Sequence, residues 1–583
     1  MTRDERPVSG AVKALSILLA LIAPARMAWI VFTYGENNLS NDYVMRVPLV
    51  ASLLDGTCTP GSYFRNAWIG GGHSALALTP VYWLSARFFA WDVRFELALG
   101  LLIAGATLAL IAATLPPRTR WFVLPPLSLL LFSTAKVSSF TFGESTIQMG
   151  LAQLGVALGV FAFARRGGRP LALAAWAAAG GVLASWSWGG GIMAWPALFA
   201  AFALRRERRL APWAILGAGA ALGLAQYVWI LPGEMAHAGA APADWASKGR
   251  LFLDVLGRPL VNGIGHADPD ALSQALGAAG LVALAGLLYA GRAELRARPA
   301  APVLIAWTLL VALEIVAFRS AVAPWYASPL TLFWAGLVLL AAAAPAPARA
   351  AAIFTVAALA LRVQGGWEDK SFYLPSRAPA SAACLREWRT APPACHDRVF
   401  QWGESGRPNE LALLGEPLER RGLSVFGPHR TYLAQGDLAV GRVASTNPKA
   451  AAFFSRDGRT PGDPDDFHRL DLVLAPDAAV TWRVDLPPNL KSARFETRVR
   501  ASANDPMLAR GARVEVAGEP GGARALVPAG GDEPLALDLG PFAGRTVTLR
   551  LTAEGAEAGA PMVFEPPKIE ISLRRGAERK GAS

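Results

Sequence analysis

The chain has 583 residues, of which 53% are hydrophobic and 17% charged, and its mean hydropathy of +0.33 is too high for a water-soluble enzyme of that length. The formal charge of +12 does not point to a nucleic-acid partner. In the first half the arginines sit in short clusters between apolar runs, where membrane topology puts them.

The N-terminal 1-MTRDERPVSGAVK leads into an apolar run ending at Tyr34 and carrying Pro24 and Arg26. It is too long for a cleaved signal peptide and lacks a small-x-small site, so it reads as an uncleaved first helix. Further apolar segments occupy 97–115, 121–135, 148–164, 171–186, 191–204, 210–231, 276–290, 302–317, 329–344 and 351–364. Crossing a hydrocarbon core takes roughly 20 residues; several of these are shorter. The connections alternate. One set is basic (116-PPRTR-120, 165-RRGGR-169, 205-RRERR-209, 291-GRAELRAR-298 and the loop holding Arg349), and the other is aromatic, Gly-rich, acidic or long. Basic loops stay cytoplasmic. The run 75-ALALTPVYWLSARFFAW-91 breaks that alternation if it spans, so it is assigned an interfacial or re-entrant course. The result is about eleven spans, with the N-terminus inside and the C-terminus outside.

The outer loops carry the functional side chains. The first, 37-NNLSNDYVMRVPLVASLLDG-56 followed by 61-GSYFRNAWIGGGHSA-75, holds Asp42 and His73. Asp42 suits a general base on an acceptor hydroxyl, and it equally suits a cap on the helix that follows. Loop 134–147 contains Lys136 and Glu144, with Gln148 one turn after Glu144 on the same face. The turn 185-SWSWGGG-191 sets Trp186 and Trp188 at the membrane boundary, as interface anchors or as stacking platforms for a sugar. Loop 232–275 includes Glu234, His237, Asp244 and His266. In 318-FRSAVAPWYASP-329, Arg319 and Tyr326 stand between two spans; an arginine there binds phosphate or snorkels. Glu314, inside a span, needs a partner, for which Arg26 and Arg319 are candidates. The GGG runs at 70–72 and 189–191 read as turns. No GxxxxGK[ST], HExxH, GxSxG or zinc-spaced Cys/His set occurs, which disfavours an ATP-driven pump.

After Arg362 the composition turns polar. Region 365–470 reads as a mixed α/β linker with one helix near 406–421. From 471 to the end, two-residue alternation (479-AVTWRVDL-486, 493-ARFETRVRA-501, 512-ARVEVAGE-519, 535-LALDL-539, 545-RTVTLRLTAE-554, 568-KIEISLR-574) predicts an antiparallel, jelly-roll-like β-sandwich. If this region is periplasmic, Cys384 and Cys395 are a plausible disulfide pair. The expected fold is thus a polytopic α-helical membrane domain over 1–364, a periplasmic linker over 365–470 and a periplasmic sandwich over 471–583.

Taken together, these features resemble the GT-C class of membrane glycosyltransferases. The resemblance lies in the first span ending at an outer loop with Asn41-Asp42, the interfacial helix after it, the basic inner loops and the outer sandwich. The blocks 145-STIQMGLAQLGVALGVF-161, 185-SWSWGGGIMAWPALFAAFALRR-206, 319-RSAVAPWYASPL-330 and 383-ACLREWRTAPPAC-395 with 423-LSVF-426 look like an uncharacterised bacterial branch of that class. The resemblance implies transfer of a sugar from a polyprenyl-phosphate donor to a cell-envelope glycan or lipid acceptor, in the bacterial inner membrane. It makes Asp42 the base. Arg319, Lys136 or His266 would stabilise the departing phosphate, with Tyr326, Glu144, Gln148, His73 and Trp188 around the substrate and a carbohydrate-binding role for the sandwich. Asn41 departs from the paired acidic residues of many members, which leaves a divalent metal (Mg or Mn) as an open cofactor. The competing readings are a lipid-linked glycan flippase and a non-catalytic assembly protein for envelope polysaccharide.

Overall fold

The computed structural model describes residues 8–35, 37, 39, 41–69, 73–164, 169–205, 207–228, 230, 244–261, 269–291, 300–319, 324–344, 346–364, 385, 388–389, 399, 410–427, 429–432, 442–445, 452–455, 471–474, 478–486, 488, 490–500, 510–527, 532–554, 562–564 and 567–573. The chain divides into two compact units, one of residues 1–35, 52–84 and 94–371, the other of residues 36–51, 85–93 and 372–583.

The first unit is helical. Among the described residues six helices are long and apolar enough to cross a membrane: Gly10–Phe32, Val93–Ala113, Pro117–Thr141, Gly143–Ala164, Ala271–Ala290 and Ala300–Phe318. Shorter apolar helices include Pro170–Ser185, Leu210–Leu224 and Ala327–Ala341. Leu18, Leu102, Trp176, Leu210 and Val282 are exposed along these helices, as expected of side chains that meet lipid rather than water. The helix within the 75–91 run, Thr79–Phe89, has 11 residues and is about 16 Å long, half of what a crossing requires.

Two proline-containing helices show how the interior satisfies its backbone. Pro24 lies inside the Gly10–Tyr34 helix, and its missing N–H leaves the carbonyl of Ala20 without a helical donor. Ser128 of the Pro117–Leu131 helix donates its hydroxyl to that oxygen at 2.5 Å. Pro125 frees the carbonyl of Trp121 in the same way, and Ser16 of the first helix donates to it. Each helix thus repairs the other's proline defect. In a dry environment an orphan carbonyl is expensive, so this exchange also fixes the register of the pair.

The helices Gly143–Ala164 and Pro170–Ser185 approach backbone to backbone. A Cβ on Gly180 would stand 2.4 Å from the Gly155 carbonyl oxygen, and one on Gly155 would stand 2.4 Å from that of Gly180. Small residues at such crossings allow close approach where no hydrophobic effect drives association.

The helical unit also holds a short antiparallel pair, β1 (Trp68–Ile69) with β2 (His73–Ser74). The second unit contains a two-sheet sandwich. A five-stranded sheet has the order β10 (Ala523–Val527), β9 (Arg510–Val516), β12 (Thr546–Glu554), β7 (Ala478–Asp485), β4 (Arg442–Ser445). A seven-stranded sheet runs β3 (His429–Tyr432), β14 (Lys568–Leu573), β8 (Leu490–Arg500), β13 (Met562–Phe564), β6 (Asp471–Leu474), β5 (Ala452–Ser455), with β11 (Asp532–Asp538) also on β8. Every pairing is antiparallel. Alternate residues of both sheets, among them Val480, Trp482, Leu549, Phe495, Leu535 and Ile569, form one buried core. The Trp482 and Phe495 rings, 6.3 Å apart, meet across it. Three strands, β3 to β5, come from the stretch read in the sequence as mixed linker. The helix expected near 406–421 is Glu410–Arg421.

Also in this unit, residues Asn41–Met45 form a 3-10 turn. Tyr43 packs edge-on to Trp91 at 6.3 Å, and Tyr43, Arg46 and Trp91 are all buried. The segment 85–93 is tied down by Ser424, whose N–H donates to the Ala90 carbonyl at 2.7 Å, and by Asn37, whose side chain accepts from the Val93 N–H at 3.0 Å.

Candidate functional site

The stretch 134–147, read as an outer loop, is helical and interior: a 3-10 turn Thr134–Lys136, a short helix Val137–Thr141 and the start of Gly143–Ala164. Lys136, Glu144 and Gln148 are all buried. The turn is held by the end of the Ala346–Arg362 helix. Thr134 donates its hydroxyl to the Val363 carbonyl at 2.5 Å, and the Gln364 side-chain oxygen accepts from the Thr134 N–H at 3.4 Å. Lys136 therefore has a fixed origin, and its ammonium donates to the Leu131 carbonyl at 2.8 Å and lies 5.3 Å over the Phe140 ring. Neither partner is anionic. An amine buried with only a carbonyl and a ring has donor capacity to spare.

Beside Lys136 is a small enclosed cavity of about 20 Å³, lined also by Ser139, Thr146, Gln153 and Ser328, room for about one water. Gln153 donates to the Ser328 hydroxyl at 2.9 Å. Gln148, on the same helix, keeps a buried side-chain amide with no hydrogen-bond partner among the described residues.

The Ser139 hydroxyl donates to the Trp325 carbonyl at 3.1 Å and so joins this centre to the 324–326 turn. Tyr326 lies 6.3 Å from Trp188, and Trp188 lies 6.2 Å from His73. His73 Nδ1 accepts from the Gly189 N–H at 3.1 Å, which leaves the neutral ring's proton on Nε2. The Trp188 ring sits directly on Gly190, where a Cβ would be 2.4 Å from it. Trp307 donates to the Gly190 carbonyl at 3.0 Å, and Tyr227 donates to the Ser185 carbonyl at 2.8 Å. The GGG run is thus a braced turn carrying a tryptophan. His73, Lys136, Trp188 and Tyr326, four residues named from the sequence on four separate segments, belong to one connected set in the helical unit.

The same turn borders a larger cleft. Trp186, Tyr63, Phe64, Leu76 and Pro80 are among the residues enclosing about 540 Å³, within the range of small-ligand pockets. The Tyr63 hydroxyl donates to the Leu76 carbonyl at 2.7 Å, and burial pushes its pKa up to about 12. Sequence reading missed Tyr63, Gln153, Gln226, Tyr227 and Ser328. Gln226 and Tyr227 lie within the apolar run 210–231, just after the Leu210–Leu224 helix, and could have been singled out as polar groups inside an apolar segment. Gln226 donates to the Phe64 and Ala67 carbonyls at 2.6 and 2.9 Å.

Arg319 follows the Ala300–Phe318 helix, and the buried Glu314 Oε2 has no hydrogen-bond partner among the described residues. Glu144 starts its helix, buried. Asp42 lies in the Asn41–Met45 turn, but its side chain, like His266, Cys384 and Cys395, lies outside the described residues, so those assignments rest on the sequence alone. Among the described residues no three of His, Cys, Asp and Glu gather as a metal site.

No protein-family model matches the chain, and no curated protein sequence matches it significantly. Solved structures similar to it include two membrane transferases. One is arabinosyltransferase EmbB from Mycobacterium smegmatis, at 13% identity over 97% of this chain and 65% of that one, with a TM-score of 0.26. The other is arabinofuranosyltransferase AftD from Mycobacteria, at 12% identity over 97% of this chain and 61% of that one, with a TM-score of 0.30. The chain spans less than two thirds of the length of either. Likenesses this distant carry no functional argument by themselves.

Proposed function

We propose that the chain is a membrane glycosyltransferase of the GT-C kind. It transfers a sugar from a polyprenyl-phosphate donor to a glycan or lipid acceptor at the non-cytoplasmic face of a bacterial inner membrane. The observation that carries the reading is the buried Lys136 ammonium, without an anionic partner among the described residues and beside a polar cavity, in a set that also contains Trp188, His73 and Tyr326. A buried amine keeps a proton only where a counter-charge offsets its desolvation, and an anionic substrate group supplies one. In an apolar helical unit the phosphate of a lipid-linked donor has the matching chemistry, and aromatic residues offer faces to a sugar ring.

In this reading the acceptor oxygen attacks the anomeric carbon, Asp42 takes the acceptor's proton, and the bond to the phosphate oxygen breaks with its electron pair leaving on the lipid phosphate. Lys136, with Arg319 and His266 as further cations, stabilises the charge that develops there. Asp42 and His266 are assigned from the sequence resemblance.

The test is transfer of labelled sugar by purified variants. Lys136→Gln lowers kcat by about 10²- to 10³-fold, Asp42→Asn abolishes transfer, and both variants insert and purify as the parent does. Parental activity in Asp42→Asn refutes the base, and parental activity in Lys136→Gln refutes the phosphate site.

A further inference from the structure

The cleft of about 540 Å³ beside the Trp186 turn has walls of one chemical character. Leu53, Pro60, Phe64, Leu76 and Pro80 give it apolar surface, and among the described residues that enclose it none is acidic or basic. The four that bear polar side-chain atoms have partners within the chain. Tyr63 donates to the Leu76 carbonyl at 2.7 Å, and the Trp186 indole N–H donates to the Leu222 carbonyl at 3.3 Å. The Thr59 hydroxyl accepts from the Ser62 N–H at 3.1 Å and so caps the helix Pro60–Asn66. The Cys58 thiol donates to the Thr59 carbonyl at 3.6 Å. A sugar ring entering this space gives up hydrogen bonds to water and finds few in return. A hydrocarbon chain has none to lose.

The cleft is also pre-formed and adjoins the candidate site. Gln226 holds one wall through the Phe64 and Ala67 carbonyls, and its neighbour Tyr227 holds the other through the Ser185 carbonyl. The Ala77 N–H donates to the Trp186 carbonyl at 2.9 Å and fastens the two walls together. Trp186 stands two residues before Trp188, and Leu76 stands three after His73. In order of contact the site runs from the Lys136 cavity through Ser139, Trp325, Tyr326 and Trp188 to His73. The cleft therefore follows the end of that series opposite to Lys136.

We infer that this cleft seats the apolar chain of a lipid acceptor, so that the molecule receiving the sugar is an amphiphile with a hydroxyl-bearing head and not a water-soluble glycan. The inference rests on the transferase reading. In a direct displacement the entering and departing oxygens take opposite faces of the anomeric carbon. With the departing phosphate at Lys136 and the sugar against Trp188, the acceptor enters from the His73 and Trp186 end, where the cleft is. The donor's own lipid chain is the other apolar occupant, and it leads away from the phosphate at the Lys136 end.

The experiment reconstitutes the full chain in liposomes with labelled polyprenyl-phosphate sugar. The acceptor extract is offered as two separate fractions, one soluble in chloroform–methanol and one delipidated and water-soluble. Benzylmaleimide then alkylates the Cys58 thiol on the cleft wall, with mass spectrometry confirming the adduct and Cys58→Ser treated in the same way. Three results together support the inference. Label enters the chloroform–methanol fraction. Alkylation of the parent raises the acceptor KM by about tenfold or more, the effect of excluding roughly two methylenes, without moving the donor KM. Treatment changes nothing in Cys58→Ser. Label confined to the water-soluble fraction overturns the inference and leaves the transferase reading standing. An unchanged acceptor KM in the alkylated parent, a rise in the donor KM in its place, or an equal response of Cys58→Ser to treatment overturns it in the same way. Label in neither fraction is the failure of the transferase reading and removes the acceptor with it.

Discussion

The crossing of Gly143–Ala164 with Pro170–Ser185 carries Glu144 and Gln148 on one helix and leads into the Trp188 turn from the other, so a disturbance there should reach the site. Gly180→Ala places a methyl 2.4 Å from the Gly155 oxygen and 2.9 Å from the Gly159 nitrogen. Both are backbone atoms, so no rotamer change relieves the contact, and ordinary separation requires the helices to move apart by about 1 Å. Overpacking of this kind costs about 1–3 kcal/mol. The control is Gly217→Ala on the Leu210–Leu224 helix, where a Cβ meets nothing within 4 Å and the substitution should gain up to about 1 kcal/mol in helix propensity. Reversible unfolding in mixed micelles measures both. Gly180→Ala is expected to lose stability and, through displacement of Trp188, transfer activity, while Gly217→Ala matches or exceeds the parent. Equal stability of the two variants would refute the backbone contact and the reasoning built on it.

Ser128→Ala removes the donor to the carbonyl that Pro24 orphans and should cost about 0.6–2 kcal/mol in the same unfolding assay, whereas Ser128→Thr, which keeps the hydroxyl, should recover part of the loss. Tyr63 is held neutral by burial; its folded pKa lies above the unfolded value near 10, so its contribution to stability is complete below about pH 10 and is lost as pH rises through about 12. The tyrosinate absorbance missing from Tyr63→Phe, taken as a difference against the parent, should therefore appear near pH 12, and a midpoint near 10 contradicts the buried setting.

The helices and the late strands were legible because their signals are long: an uninterrupted apolar run for a helix in lipid, and strict alternation for β7, β8, β9 and β12. The strands β4 (RVAS), β5 (AFFS) and β6 (DLVL) have four residues each, too few for a period of two to stand out, and they enter the sheets through long-range pairing. The stretch 134–147 was misread for a different reason. Its Ser, Thr, Gly and Lys residues have the composition of a loop, but Val363 and Gln364, more than two hundred positions away, accept hydrogen bonds from Thr134 and hold the turn inside the helical unit. Composition singled out Lys136, Trp188, His73 and Tyr326 and gave no information on their contacts, since the segments that meet are distant in sequence.

The most direct measurement incubates the purified chain, reconstituted in liposomes with an acceptor extract, with polyprenyl phosphate carrying a radiolabelled sugar and with neither nucleotide sugar nor ATP present. The account predicts label in the acceptor and release of free polyprenyl phosphate in equal amount. Label that crosses the bilayer while still attached to its lipid, or that reaches the acceptor only from a nucleotide sugar, would contradict it.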